Sequence, residues 1–139
     1  MSEDGQAPLS GGCYCGAVRY EARGDAMMRA QCHCRECQYM TGGGPNYFML
    51  LRREGFSYVK GAPKTFARAD LETPVTREFC ADCGAHLTTQ LPGRPLTVVK
   101  VGTLDDPSGF RPDMAIYTID MQPFHQIPEG LPSFERMPG

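Results

Sequence analysis

The 139-residue sequence has no tryptophan, only three histidines, and no apolar run near the roughly 20 residues that a membrane span requires. Residues 1–9 show neither a basic start nor an apolar body, so no signal peptide is expected there. Neither charge sign dominates, with 14 Lys and Arg against 16 Asp and Glu. Arg52-Arg53 is the single compact basic pair, which falls short of the clustered cations that phosphate backbones draw on. Internal repeats and low-complexity tracts are absent as well. The expectation is a cytoplasmic protein with no membrane and no nucleic-acid partner.

What is present is turn-rich and sulfur-rich. Sixteen glycines, twelve prolines and 41% hydrophobic residues fit one domain of short strands joined by turns rather than a helical bundle. Residues 1–10 are polar and without periodicity, predicting a mobile N-terminal tail before a single domain over 11–139. Alternation or short apolar runs predict strands over 17–22, 27–32, 46–51, 56–60, 64–69, 75–79, 85–90, 96–101 and 114–119. Residues 35–40 predict one or two helical turns, stopped by Gly42-Gly43-Gly44-Pro45. The fold class expected is mainly β, of antiparallel sheets with little helix. Hydrophobic edge strands leave a homodimer open.

Seven cysteines carry the chemistry. In Cys32-His33-Cys34-Arg35-Glu36-Cys37, three thiols fall within six residues, too close for comfortable disulfide geometry. Three thiolates can converge on one tetrahedral ion at about 2.3 Å each, leaving a fourth position. In a reducing compartment such clusters point to metal. Cys80-Ala81-Asp82-Cys83-Gly84, flanked by strands, has the form of a zinc knuckle. Cys13-Tyr14-Cys15 offers two sulfurs on one side of an extended chain. Joining the knuckle to this pair gives a four-plus-three division that uses every cysteine. On spacing alone, Cys32 and Cys34 joining the knuckle remains an alternative. Counting seven thiolates and two divalent zinc ions takes the formal charge from −2 to −5, again against a polyanionic partner.

Residues 11–20 (Gly-Gly-Cys-Tyr-Cys-Gly-Ala-Val-Arg-Tyr), 32–38 (Cys-His-Cys-Arg-Glu-Cys-Gln), Thr41-Gly42 and 79–84 (Phe-Cys-Ala-Asp-Cys-Gly) resemble the glutathione-dependent formaldehyde-activating enzyme family, also called the centromere-protein-V type. Gly102-Thr103-Leu104-Asp105-Asp106-Pro107 and Leu131-Pro132-Ser133-Phe134 are similar to its later signatures. The resemblance implies an Mss4-like β fold organised around zinc. It also implies a structural zinc on Cys13, Cys15, Cys80 and Cys83, and a second zinc on Cys32, Cys34 and Cys37. The implied activity is carbon–sulfur lyase chemistry, with glutathione and formaldehyde as eponymous substrates. A departure falls where many members carry His-Ile-Trp and an Arg-containing run: this chain has Ala115-Ile116-Tyr117-Thr118-Ile119-Asp120. It bears on the substrate rather than on the metal ligands.

An open three-thiolate zinc is formally −1 and a poor Lewis acid, better suited to holding a substrate thiol deprotonated than to activating water. Such a thiolate adds to an aldehyde to give a hemithioacetal, or the reverse cleavage runs. His33, between two of the thiols, is a candidate to hydrogen-bond a sulfur or shuttle a proton, set against a plain packed histidine. Arg35 is a candidate for a substrate carboxylate unless Glu36 neutralises it, and Gly42-Gly43-Gly44 offers backbone N–H groups or simply a turn. His86 and His125 read as structural or exposed. The competing class is a zinc-stabilised β module for protein binding, in which His33, Asp70 or His125 closes the second site.

Overall fold

Alternating side chains become strands where one face finds a core. The computed structural model describes residues 8–138, which hold ten strands and one α-helix. Three strands form a small antiparallel sheet: β1 (Leu9–Gly12), β2 (Arg19–Ala22) and β5 (Phe56–Lys60), in the order β1-β2-β5. The larger sheet has seven, ordered β10-β3-β4-β9-β8-β7-β6. Its members are β3 (Met28–Cys32), β4 (Asn46–Arg52), β6 (Lys64–Phe66), β7 (Thr76–Phe79), β8 (His86–Gln90), β9 (Leu96–Lys100) and β10 (Met114–Ile116). The helix α1 (Arg35–Thr41) follows β3 after two residues. The mainly β architecture with little helix is as the sequence predicts.

The apolar segment 96–101 supplies β9, the middle strand of seven, buried on both faces as its composition demands. Four differences from the sequence reading stand out. Leu9 and Ser10, placed in the tail, form half of β1, while residues 1–7 lie outside the described residues. The sheets are not wholly antiparallel: β10 lies parallel to β3, pairing Ile116 with Cys32. The strand read over 114–119 stops at Ile116, because Tyr117 takes a left-handed backbone (φ 55°) and residues 118–120 coil into a 3-10 turn. That read over 64–69 ends at Phe66, beyond which the chain is exposed.

Two buried clusters divide the interior. Val18, Tyr20, Met49, Leu51, Leu87 and Val99 pack with Cys13 and Cys80 between the sheets. Ala30, Phe48 and Ile116 pack with Cys32 and Cys37 on the other side. Gly11 is obligatory in the first: a Cβ there would lie 2.5 Å from the Tyr20 ring and 2.4 Å from the Thr103 carbonyl oxygen. That approach lets the Tyr20 and Thr103 hydroxyls meet at 2.7 Å. No helix among the described residues is long and apolar enough to cross a membrane.

Candidate metal centre

Two tight turns bring the first four cysteines together. After Cys13 the chain reverses through Gly16 (φ 83°), and after Cys80 through Gly84 (φ 78°), a conformation costly for residues with a Cβ. Each turn aims backbone donors at sulfur: the Val18 N–H donates to Cys13 Sγ at 3.2 Å, and the Asp82 N–H to Cys80 Sγ at 3.4 Å. The four sulfurs of Cys13, Cys15, Cys80 and Cys83 lie within 4.8 Å of one another. Cys15 Sγ is 3.7 Å from both Cys13 Sγ and Cys80 Sγ. A tetrahedron with 2.3 Å bonds has edges of about 3.8 Å, so the cluster is already spaced for zinc. The four-plus-three division holds, and Cys32 and Cys34 do not join the knuckle.

The second cluster sits where β3 hands over to α1. Cys32 ends the strand, Cys34 caps the helix, and Cys37 lies in its first turn, its N–H donating to Cys34 Sγ at 3.3 Å. The three sulfurs are mutually within 4.8 Å. Charge is shared unequally among them. Hydrogen bonds from Cys32 and Cys37 bring Cys34 down to about 2. Cys32 pulls Cys37 down, but Cys34 and burial win and push it up to about 12. Hydrogen bonds to Cys34 and Cys37, with burial, hold Cys32 far above its usual range. A divalent cation among them would favour the thiolate form of all three. None of the seven cysteines is in a disulfide.

Among the described residues no fourth Cys, His, Asp or Glu joins the trio. Asp70 is paired to Arg68 at 2.6 Å. His33 is fully buried, and its ring faces other partners than sulfur. His125 Nε2–H donates to the Gly43 carbonyl at 2.8 Å, leaving His125 Nδ1 to accept from the Gln122 N–H at 3.3 Å. His33 Nδ1–H therefore donates to His125 Nδ1 at 2.9 Å, and Gln31 Nε2 donates to His33 Nε2 at 3.1 Å. This assignment uses both nitrogens of each ring in neutral form. The shuttle role expected of His33 finds no free nitrogen; the residue instead ties the cysteine segment to the chain around His125 and to the Gly43 turn. His86 is half-buried against Phe79 with its Nδ1 unpartnered.

The neutral histidines have a pH consequence. Burial, with His125 adding to it, lowers His33 below its ordinary value, and burial likewise lowers His86. Below about pH 6.5 the unfolded chain takes up protons that these folded rings refuse, so their contribution is complete above that pH and lost as pH falls. The urea midpoint of zinc-loaded protein should drop between pH 7 and 5.5, with metal content followed alongside. A midpoint constant while zinc stays bound would refute the neutral assignment.

The trio opens into a cavity of about 640 Å³. Phe48, Val75, Leu91, Val98, Ile116 and Tyr117 form apolar wall, and Arg35, Arg68, Arg77, Glu36 and Asp120 supply charge. Glu36 does not neutralise Arg35, as its adjacency suggests. It pairs with Arg77 at 2.6 Å and Arg68 at 3.6 Å, while the Arg35 guanidinium lies over the Tyr39 ring at 4.9 Å and donates to Gln38. Gly42-Gly43-Gly44 is a turn: the Gly42 N–H caps α1 by donating to the Gln38 carbonyl.

Two residues that sequence reasoning passed over complete the site. Tyr117 is the one non-glycine with positive φ among the described residues, and it lines the cavity. Lys100, buried on β9, donates to Asn46 Oδ1 at 3.2 Å, and Asn46 pairs with Cys32 across β3 and β4. Burial lowers the Lys100 ammonium, and the Cys37 charge partly restores it. A cation behind three thiolates stabilises their net −1 complex with a divalent ion. Lys100→Met should weaken zinc retention at the trio on the order of tenfold, the equivalent of about 1.4 kcal/mol. Competition with a chromogenic chelator measures it; unchanged release would leave Lys100 a packing residue.

A family profile described as glutathione-dependent formaldehyde-activating enzyme matches residues 8–120, a span that contains all seven cysteines. Among solved structures, a protein of Rhodobacter sphaeroides is similar, with a TM-score of 0.57 and 22% identity over 74% of this chain and 91% of that one. At that identity the likeness speaks for the fold alone. No curated protein matches the sequence.

Proposed function

The chain belongs to the glutathione-dependent formaldehyde-activating enzyme family, and from that membership we propose that it is a zinc-dependent carbon–sulfur lyase, joining a small thiol to an aldehyde or cleaving the adduct. The supporting observation is the incomplete ligand set: three sulfurs, no fourth side chain among the described residues, and a cavity in front of them. Bound there, zinc supplies an open coordination position and the charge that keeps a substrate thiol deprotonated near neutral pH. The four-cysteine cluster holds a second zinc in a structural role.

The chain's own groups do the rest. Arg35, with no carboxylate partner among the described residues, attracts a carboxylate of a glutathione-like thiol. Phe48, Val98 and Ile116 keep water from the reacting carbon. As the sulfur–carbon bond forms, the carbonyl oxygen takes up a proton, and the Tyr117 phenol, without a protein hydrogen bond among the described residues, is the donor in the wall. The strained backbone at Tyr117 is what turns that side chain toward the cavity rather than along β10. His33 acts as a positioning residue, not a catalytic one.

Elemental analysis should find two zincs per chain, and cobalt substituted at the trio should change its absorption when glutathione is added. A spectrum indifferent to every small thiol would overturn the reading. Tyr117→Phe should lower kcat roughly 10²- to 10⁴-fold with the thiol-induced cobalt change intact; an unchanged kcat would remove Tyr117 from proton transfer.

A further inference from the structure

The cavity is larger and more apolar than a one-carbon adduct requires. Its volume of about 640 Å³ falls within the ordinary range for whole small-molecule ligands, roughly 300–1,000 Å³. Arg68 and Glu36 are half-exposed and lie toward solvent, while Arg77, 13% exposed, and the buried Asn46 and Thr89 line the interior together with apolar side chains. Phe48 and Ile116 are 6% and 3% exposed and share one buried cluster with Cys32 and Cys37, against which Val98 and Tyr117 also pack. Apolar side chains therefore stand beside the trio. Val75 and Leu91 continue that wall.

A hydroxymethyl group, the whole of what formaldehyde adds, would leave these side chains facing water. An alkyl or aryl group on the same carbon would cover them, and burying apolar surface is the main source of small-ligand affinity. Resting on the reading of the site as a thiol–aldehyde lyase, we propose that its carbonyl substrate is an apolar aldehyde carrying a chain of several carbons or a ring. The reaction balances without a further reagent. Thiol and R–CHO give the hemithioacetal S–CH(OH)–R: one S–C bond forms, the carbonyl π bond becomes C–O, and the thiol's proton ends on that oxygen. Arginine contacts anchor the thiol component at the charged edge, and the R group lies along Phe48, Val98 and Ile116.

Direct binding tests this apart from turnover. Calorimetry on the two-zinc protein with S-methyl-, S-propyl- and S-hexylglutathione, stable stand-ins for adducts of rising chain length, should show affinity increasing roughly three- to fourfold per methylene. Val98→Thr, close in shape but polar, should flatten that slope. A methyl derivative binding as tightly as the hexyl one, while glutathione still shifts the cobalt spectrum, would overturn the apolar-aldehyde proposal and leave the lyase reading standing. Silence of both calorimetry and the cobalt spectrum would overturn both.

Discussion

Cys80→Ser is expected to give a chain that does not fold stably: soluble yield collapses and the cooperative thermal transition is lost. Cys80 is 1% exposed and sits inside the main hydrophobic cluster with Tyr20, Leu87 and Val99. Its sulfur and that of Cys83 lie within 4.8 Å of those of Cys13 and Cys15, across a sequence separation of 65 residues from Cys15 to Cys80. The pair at Cys13 precedes β2 of the small sheet, and the knuckle lies between β7 and β8 of the large one, so an ion held by the four sulfurs would clamp sheet to sheet. Structural zinc contributes about 10–16 kcal/mol in small domains, against a whole-domain stability of about 5–15 kcal/mol. Losing one of four thiolate ligands therefore removes enough to unfold the protein, and serine leaves a polar group in an apolar setting as well. Circular dichroism and the thermal transition of the purified variant decide it. A variant that retains a cooperative transition within a few degrees of the parent would show that packing alone holds the sheets.

The parts legible in the sequence are those with local causes. Alternation placed β5 at its observed bounds and β4 within one residue, and Cys-x-x-Cys-Gly announced the knuckle because turn and ligands lie within five residues. Counting thiols against tetrahedral sites made a four-plus-three division the tidiest of the open options, and the family resemblance implied the same division. β1, Leu-Ser-Gly-Gly, carries no strand signal, since its glycines are strand-poor; pairing with β2 and the packing of Gly11 under Tyr20 make it extended. The parallel β10–β3 contact joins residues some eighty apart and has no local signature. For the same reason His33 looked like a candidate shuttle: its neighbours in sequence are ligands, while its partner in space, His125, is 92 residues away. Glu36 likewise sits beside Arg35 in sequence and beside Arg77 in space. The cavity is the extreme case, since its walls come from β4, β8–β9 and β10 and its charge from α1 and the chain around β6 and β7.

Cys34→Ser is expected to do the opposite of Cys80→Ser: the fold survives and the chemistry does not. Cys34 has two jobs that this substitution separates. As helix cap its side chain accepts the Cys37 N–H, and serine is among the best residues for that role, so α1 should keep its start and the buried Phe48–Ile116 cluster its packing. As a ligand it offers the sulfur most readily ionised of the three, brought down to about 2 by its neighbours, and a serine hydroxyl near its ordinary acidity cannot replace that anion. The trio would be left with Cys32 and Cys37, both buried, and without the sulfur that ionises most readily. Zinc content should fall from two ions to one per chain, the thermal midpoint should move by only a few degrees, and lyase turnover should fall by at least roughly 10³-fold, the scale on which activating groups act when removed. Two zincs with turnover intact would place the catalytic centre elsewhere. Collapse of the fold alongside the activity would mean that the second ion, like the first, is there to hold the sheets.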